Sequence, residues 1–484
     1  MRYKLILRMV GVSLLLESLM MFISAMVAAI YGHDASMIPL LFSGLIVGIF
    51  GAFPQIFVRF EAFSKHRITT REGYYIVVGS WLLACLFGMI PYLMYGGEFT
   101  PANALFESVS GFTTTGASIL NDIEALPRGL LFWRMSTSWM GGIGIVALFS
   151  LVLPSGSGAV LTGVEVSGIA RDDASTREKS LVKMMVTTYM SLSIISFAAY
   201  KLCGMGWFDA ITHAMSTVST CGFSTKNASI AAFDSPLIEM VVSVFMILAS
   251  INFCLVYSVF TRDKQKNMFQ SEVSRTYMVV VSCCILLITA NLFFSGTFHS
   301  IGECLRRAVF HVSAFITTTG FATADCNLWP TTSIIVLIAC GIVCGCSGST
   351  SGGMKFDRML VGIKAIKAKL AGVANPNQIT VVKVDGRPIS EGRVSDTKTF
   401  MVLYMVIILV GALVYSLFGL DLTTSFTASL ACVGNVGPGF GAIGTVCNYS
   451  FMPAFLKFFS TILMLLGRLE LFSLFYVLGI RPRR

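Results

Sequence analysis

Long apolar runs that are almost free of charged residues constrain this chain more than any other feature of its sequence. Ten of them reach the roughly 17–25 residues that a helix needs to cross a bilayer. The chain is 55% hydrophobic and 12% charged, whereas a soluble protein carries about a quarter charged residues. These runs predict an all-α, polytopic membrane protein. The candidate spans are Met9–Tyr31, Ile38–Val58, Tyr74–Tyr95, Met135–Leu153, Met184–Lys201, Pro236–Phe260, Tyr277–Phe294, Ser333–Ala371, Phe400–Phe418 and Met452–Gly479.

The positive charges lie mainly in alternate connections between these spans. The net charge of +10 reflects basic segments at 59–73, 170–180, 261–267 and 355–398, and both chain ends are also basic. The positive-inside rule places these segments and both termini in the cytoplasm, and an even number of spans requires the termini to share a side. We therefore assign the basic residues to membrane topology and not to nucleic-acid binding. The first span is expected to stay uncleaved, because its apolar core exceeds the roughly 7–15 residues of a signal peptide.

Four connections on the other side share an unusual plan. Each contains a semi-apolar stretch of about ten residues, too short to span a membrane, followed by a glycine-containing loop. Non-helical backbone is tolerated at membrane depth only where it is buried in protein or lines a water-filled cavity. We predict two leading spans followed by four pseudo-symmetric span–pore-helix–span repeats around one central pore. The four stretches are PANALFESVSGFTTTGAS (101–118), FDAITHAMSTVSTCGFST (208–225), ECLRRAVFHVSAFITTTGFAT (303–323) and SFTASLACVGNVGPGFGAIG (425–444).

The glycines of these loops predict an ion-selective ring. A glycine has no side chain, so carbonyl oxygens around it can turn inward and replace the hydration shell of an ion. The short helices would point their partially negative C-terminal ends at the same centre, which favours a cation. The preceding threonines add hydroxyl oxygens, and the lack of Asp or Glu at the glycines favours a monovalent ion. The predicted ion-binding residues are Thr114, Thr115, Gly116, Thr220, Cys221, Gly222, Thr318, Thr319, Gly320, Asn435, Val436 and Gly437.

Four strings resemble the Trk/Ktr/HKT superfamily of potassium transporters: SGFTTTGAS, STCGFST, AFITTTGFAT and GNVGPGFGAIG. The two leading spans and the overall length are similar to its TrkH-type pore subunits. The resemblance implies potassium uptake, with K⁺ bound at the four loops, by a multi-pass protein of the bacterial inner membrane that is not an enzyme. It also implies a homodimer in contact with membrane lipid. Because loops two and four lack the TTTG sequence, selectivity for potassium over sodium is expected to be moderate.

The resemblance also implies a cytoplasmic partner, a TrkA-type nucleotide-binding regulatory ring. No nucleotide-binding fingerprint occurs in this chain, so no organic cofactor is expected to bind it. The polar segment 371–398 is the expected dock for the ring, because ITVVKVDGRPI (379–389) within it predicts a small hairpin with its turn at Asp385-Gly386. The predicted division is two leading helices (1–72), pore repeat one (73–170), repeat two (171–262), repeat three with a broken inner helix (263–372), a cytoplasmic linker (373–397) and repeat four (398–484).

The segment CGCSGSTSGGMKFDR at Cys344–Arg358 interrupts the eighth span. Its glycines, serines and threonine cannot form a good continuous helix, and the resemblance implies an intramembrane gating loop. Arg468 is a lone cation in the last apolar run, which makes it a functional candidate by default. The resemblance implies an electrostatic barrier below the filter, while an ion pair with Glu470 or a position at the interface is the structural alternative. The predicted gating residues are Gly345, Ser347, Gly348, Gly352, Gly353, Lys355 and Arg468.

Two other functions fit parts of the sequence. A sodium-coupled Ktr-type potassium transporter would share the fold. An intramembrane serine protease is suggested only by GCSG at Gly345–Gly348, with Ser347 as nucleophile, and it requires a histidine base. His213 and His311 fall in outer-side loops and are expected to be packing residues.

Acidic residues near the outer mouth have two possible roles. Glu107, Asp209 and the loop 122–124 would either concentrate cations there or form a solvated surface.

Overall fold

The computed structural model describes residues 2–58, 69–144, 178–261, 267–375 and 380–469. Helices make up most of these ranges, and we number them α1 to α17 in chain order. Their bounds are α1 Tyr3–Ile30, α2 Met37–Phe57, α3 Thr70–Gly88, α4 Ile90–Tyr95, α5 Pro101–Phe112, α6 Arg128–Ile143, α7 Glu178–Leu202, α8 Trp207–Val218, α9 Pro236–Ser250, α10 Phe253–Thr261, α11 Glu272–Phe294, α12 Ile301–Ile316, α13 Thr331–Val343, α14 Phe356–Ala374, α15 Glu391–Leu417, α16 Leu422–Gly434 and α17 Ala454–Arg468. Two short strands, β1 (Lys383–Val384) and β2 (Arg387–Pro388), lie between α14 and α15.

Six of the described helical segments are long and apolar enough to cross a membrane: α1, α2, α3 with α4, α7, α11 and α15. They coincide with six predicted spans and confirm a polytopic membrane protein. The predicted spans Met135–Leu153 and Met452–Gly479 are described only as far as Gly144 and Leu469, as α6 and α17. Parts of the predicted basic connections, at 59–68, 170–177 and 262–266, lie outside the described residues.

Two predicted spans are not continuous helices. The predicted span Pro236–Phe260 consists of two helices, α9 and α10, which meet at an angle of 103°. The side-chain oxygen of Asn252 accepts a hydrogen bond from the amide of Cys254 at 2.9 Å, which caps a new helix in place of continuing the old one. The span Ser333–Ala371 is interrupted between α13 and α14, as predicted.

Four successive helix sets follow α1 and α2, and each contains a short helix followed by a glycine loop. The short helices are α5, α8, α12 and α16. Thr100 and Asp421 begin α5 and α16, where their side chains accept hydrogen bonds from the amide three residues on, at 3.4 and 3.2 Å. Thr100 is the N-cap of α5 and Pro101 lies in its first turn, positions that both residue types favour. This order of helices agrees with the predicted two leading helices followed by four repeats.

The hairpin between α14 and α15 is confirmed at its predicted turn. Asp385 and Gly386 have φ angles of 53° and 81°, as the two central residues of a type I′ turn require. The Asp385 carboxylate accepts a hydrogen bond from the amide of Glu272 at 2.8 Å and so caps the N-terminus of α11. Lys364 of α14 donates to the carbonyl of Lys383 at 2.8 Å and pairs with Glu272. The hairpin is thus fixed to both α11 and α14.

Candidate functional site

The four glycine loops share one backbone conformation although their sequences differ. Two residues before each glycine the chain is left-handed, with φ between 51° and 60°, and the glycines themselves have φ between 75° and 92°. Three of the left-handed residues are threonines, and a β-branched residue in this region is a strained outlier that the surrounding structure must enforce. Loops two and four therefore follow the same path as the two TTTG loops. The left-handed residues are Thr114, Thr220, Thr318 and Asn435.

The loops close into a ring in chain order. A Cβ atom placed on Gly116 would overlap the backbone carbonyl oxygen of Cys221 in loop two. Each glycine packs in this way against a carbonyl oxygen of the next loop, and the glycine of loop four packs against loop one. The four carbonyl groups and four glycines therefore surround a common centre. Only glycine fits at these positions, since both its φ and this contact exclude a side chain. The remaining overlaps join Gly222 to the carbonyl of Thr319, Gly320 to that of Val436 and Gly437 to that of Thr115.

The threonine hydroxyls of the loops differ in what they contact. The hydroxyl of Thr115 lies 2.8 Å from that of Thr113, and Thr319 pairs with Thr317 at the same distance. The hydroxyl of Thr114 is buried and has no hydrogen-bond partner among the described residues. The Thr115 hydroxyl is therefore engaged within its own loop while its carbonyl belongs to the ring, and Thr114 has an open side-chain oxygen.

In loop four, the side chain of Asn435 forms hydrogen bonds to neighbouring elements. Its Nδ2 donates to the hydroxyl of Thr115 at 2.9 Å and to the carbonyl of Met464 at 3.1 Å. These bonds join loop four to loop one and to α17, where the ring closes. The Oδ1 atom of Asn435 has no hydrogen-bond partner in the described part of the chain, so it adds a second open oxygen beside the ring.

A buried ion pair supports the ring between repeats one and two. Glu107 lies nine residues before Gly116, is fully buried, and accepts hydrogen bonds from the amide of Ile119 at 3.2 Å and from Nε of Arg134 at 2.5 Å. Arg134 also donates to the carbonyl of Ser224 in loop two at 3.0 Å. Glu107 was expected either to attract cations at the outer mouth or to be solvated. Both expectations were wrong, because its carboxylate is buried and paired with Arg134.

Histidines occupy the equivalent positions in repeats two and three. His213 Nε2 lies 2.9 Å from the hydroxyl of Ser224, and His311 Nε2 lies 3.2 Å from that of Thr323. Both Nδ1 atoms also have a partner, at 2.8 and 3.1 Å. As predicted, the two histidines are buried packing residues, and they fix the segments that follow the ring glycines.

An open cavity of about 190 Å³ lies on one side of the ring and is bordered by all four glycines. Asn227 spans its rim, accepting from the amide of Ile123 at 2.7 Å and donating to the carboxylate of Asp122 at 2.8 Å. That hydrogen bond lowers the pKa of Asp122. Lys226 pairs with Glu124 at 3.6 Å. The acidic loop is thus hydrogen-bonded to loop two at the entrance to the ring.

The interrupting segment between α13 and α14 lies against the opposite side of the ring. The amide of Gly352 donates to the hydroxyl of Thr318 at 2.9 Å, so this segment contacts a ring loop directly. The hydroxyl of Thr350 donates to the carbonyl of Val218, at the end of α8, at 2.9 Å. The Lys355 ammonium group donates to the carbonyl of Ser351 and closes the segment on itself. The segment therefore sits beneath repeats two and three.

The second helix break, at Asn252, pairs with this segment. The amide of Cys346 donates to the carbonyl of Ser250 at 2.9 Å, and the amide of Phe253 donates to the carbonyl of Gly348 at 3.0 Å. Two broken helices from different repeats therefore satisfy each other's backbone groups, which buried irregular backbone requires inside a membrane. The sequence analysis missed this break, and the polar Asn252 within an apolar run is the signal that indicates it.

Arg468 connects the interrupting segment to the first repeat. Its guanidinium donates to the carbonyl of Thr350 at 3.0 Å and to the carbonyls of Gly141 and Gly142 at 2.6 and 3.1 Å. The last two belong to the C-terminal turn of α6, where a cation is favoured by the helix dipole. The proposed alternative partner, Glu470, lies outside the described residues. Arg468 thus bridges two elements on the side of the ring opposite the open cavity.

Comparison with known protein families identifies the family to which this chain belongs. The TrkH family model, described as a cation transport protein, matches residues 47–480. The chain belongs to the TrkH family.

Relatives of this TrkH-family chain match it over most of its length. It is 31% identical over 477 residues to the Trk system potassium uptake protein TrkH of Halomonas elongata, which covers 98% of each chain. It is 34% identical over 411 residues to the Trk system potassium uptake protein TrkG of Escherichia coli K12, covering 84% of each. Its structure is similar to the crystal structure of the potassium transporter TrkH from Vibrio parahaemolyticus, with a TM-score of 0.88, 29% identity and 99% of each chain covered. The predicted superfamily and fold are confirmed.

The protease alternative finds no support in this TrkH-family structure. The backbone amide of Ser347 donates to the carboxylate of Asp357, within the segment that lies opposite the open cavity. His213 and His311 are hydrogen-bonded to the loops that border that cavity, so neither is placed as a base for Ser347 in the described part of the chain. The relatives are transporters, which agrees with a chain that is not an enzyme.

Proposed function

We propose that this chain is the potassium-uptake pore subunit of a Trk system. The observation that carries the proposal is the closed ring of four glycines, each packed against the carbonyl oxygen of the next loop. Carbonyl oxygens arranged around one centre can replace the hydration shell of a monovalent cation. The relatives named as potassium uptake proteins support K⁺ as the cargo. The proposed K⁺-binding residues are Thr114, Thr115 and Gly116; Thr220, Cys221 and Gly222; Thr318, Thr319 and Gly320; and Asn435, Val436 and Gly437.

The ion path runs from the open cavity through the ring to the interrupting segment. The protein lies in a bacterial inner membrane. The positive-inside rule orients the cavity to the outer side of this membrane and both termini to its cytoplasmic side. The segment below the ring is the gate, and its contacts with Thr318 and Arg468 hold it closed. The guanidinium adds a positive charge on the exit path. The proposed gating residues are Gly345, Ser347, Gly348, Gly352, Gly353, Lys355 and Arg468.

Regulation enters from the cytoplasmic side through the hairpin. We place the docking site of a TrkA-type nucleotide-binding ring on the hairpin, in a homodimer of pore chains. Lys364 ties the hairpin to α14, and α14 begins directly after the gate segment. Movement of the hairpin by a docked partner would therefore reach the gate through one helix. The division into leading helices, four repeats and a linker at 373–397 remains part of this proposal.

Purified protein in liposomes tests the function. A liposome loaded with K⁺ and diluted into trace ⁸⁶Rb⁺ should accumulate the tracer, with external K⁺ competing much better than external Na⁺. Tracer uptake without competition by K⁺ would contradict the proposal. The sodium-coupled Ktr-type alternative predicts that uptake requires a Na⁺ gradient, whereas a passive pore takes up tracer without one.

Removing the hairpin should uncouple the regulatory partner. Replacing Thr380–Ile389 by a Gly/Ser linker of equal length deletes both strands and the Asp385 cap on α11, so co-purification of the cytoplasmic ring should be lost while tracer uptake by the pore chain alone persists. Lys226→Ala, which alters a charged loop on the opposite side of the protein, is the matched control and should retain the partner. Unchanged co-purification of the ring with the linker variant would refute the docking site.

A further inference from the structure

Tyr449 lies where loop four meets loop one and touches both. It is only 2% exposed, and its hydroxyl donates a hydrogen bond to the carbonyl of Gly437 at 3.0 Å. Its amide donates to the carbonyl of Ser118 in loop one at 2.8 Å. Its ring lies 5.3 Å from that of Phe106 in α5, measured between centroids. These three contacts fix the phenol group at the place where loop four meets loop one in the ring of loops.

The hydrogen bond from Tyr449 makes the fourth glycine unlike the other three. All four glycines border the open cavity. Within the described residues, the carbonyls of Gly116, Gly222 and Gly320 accept no hydrogen bond. Of the four glycines that border the cavity, three therefore have carbonyl oxygens that accept no hydrogen bond within the described residues, and one has a carbonyl oxygen that is already engaged. The engaged oxygen also has the partially positive hydroxyl hydrogen beside it, which opposes a cation.

We propose that Tyr449 is a specificity-determining residue of the ion path. Its hydroxyl reduces the outermost cation site to three fully available backbone oxygens. This inference rests on the proposed function of the ring as a potassium filter and adds to it a determinant outside the loops. A large cation such as K⁺ gains more from an additional carbonyl ligand than the smaller Na⁺, because selectivity depends on the number and field strength of the coordinating dipoles. Tyr449 thus weakens K⁺ binding at the entrance and lowers discrimination against Na⁺.

Tyr449→Phe tests this by removing one oxygen atom while keeping the ring against Phe106 and the backbone bond to Ser118. The apparent KM for external K⁺ should fall about fivefold, the size expected of one ordinary hydrogen bond, and the K⁺/Na⁺ permeability ratio should rise. Half-maximal thermal stabilisation of the detergent-solubilised protein should likewise shift to lower K⁺ concentration. This second readout measures binding without transport.

Tyr200→Phe is the matched control. It removes the hydroxyl of a buried tyrosine in α7 that donates to the hydroxyl of Thr217 at 2.9 Å, remote from Tyr449, and should change neither KM nor the ratio. A Tyr449→Phe protein with unchanged KM, or with a raised KM and a lower ratio, would overturn the inference, the latter by showing that the hydroxyl merely supports the filter. Absence of K⁺-selective uptake by the wild type would contradict the proposed function as well, so the two failures are distinguishable.

Discussion

Gly320→Ser is expected to lower both the rate of potassium uptake and the K⁺/Na⁺ permeability ratio, the latter about tenfold. Gly320 has a φ of 75°, which strains any side chain, and a Cβ atom there would overlap the carbonyl oxygen of Val436 and the ring of Pro438. Loop four must therefore move, and its carbonyl leaves the ring. Loss of one ligand of ordinary hydrogen-bond strength, ~1–1.5 kcal/mol, corresponds to about a factor of ten. Liposome flux of K⁺, Rb⁺ and Na⁺ measures the ratio.

Gly302→Ser is the control for this substitution. Gly302 lies in the first turn of the same short helix, α12, and a Cβ atom there would have the Ser300 hydroxyl oxygen as its nearest contact, at 3.7 Å. Selectivity of the control should equal that of the wild type. If Gly320→Ser also keeps its selectivity, Gly320 does not belong to the filter. Size-exclusion chromatography of both variants separates a local effect from misfolding.

Arg468→Ala is expected to raise potassium flux. The substitution removes the hydrogen bonds to Thr350, Gly141 and Gly142 together with a positive charge on the exit path. A hydrogen bond to a charged group contributes ~1.5–3 kcal/mol. The closed arrangement should therefore lose enough stability for the open population to increase more than about tenfold. Single-channel recording or tracer efflux from liposomes measures the change.

Arg468→Lys separates the charge from the hydrogen bonds. Lysine keeps the positive charge but cannot reproduce the planar, multiple donation of a guanidinium. Flux between that of the wild type and that of Arg468→Ala is expected, because the gate segment is then held by fewer bonds. Wild-type flux in Arg468→Lys would assign the whole barrier to charge. Wild-type flux in Arg468→Ala would make Arg468 a structural residue.

Local chemistry explains which features could be predicted from the sequence. Asp385-Gly386 predicted the hairpin because few other pairs adopt two positive φ angles cheaply. The glycine loops were predictable because a short apolar stretch between full spans has few places to go in a membrane. The break in the eighth span was predictable because its glycines and serines are clustered. Each of these signals is contained in neighbouring residues.

Contacts between distant segments explain what the sequence concealed. Glu107 reads as a solvated acid, since nothing nearby in the chain reveals that Arg134 encloses it. The break at Asn252 depends on backbone partners almost a hundred residues away, in the interrupting segment between α13 and α14. Tyr449 stands apart from the loop motif and reaches the ring only through the fold. Loops two and four looked unlike TTTG, yet Thr220 and Asn435 have the same left-handed backbone as Thr114.

The central claim is that the four loops form one cation site. Diffraction from crystals soaked in Tl⁺, a heavy analogue of K⁺, tests it most directly through the anomalous signal. The ring predicts a peak in direct contact with the carbonyl oxygens of Thr115, Cys221, Thr319 and Val436, which disappears when the crystals are back-soaked in K⁺. Anomalous peaks elsewhere along the chain, with none inside the ring, would contradict the claim.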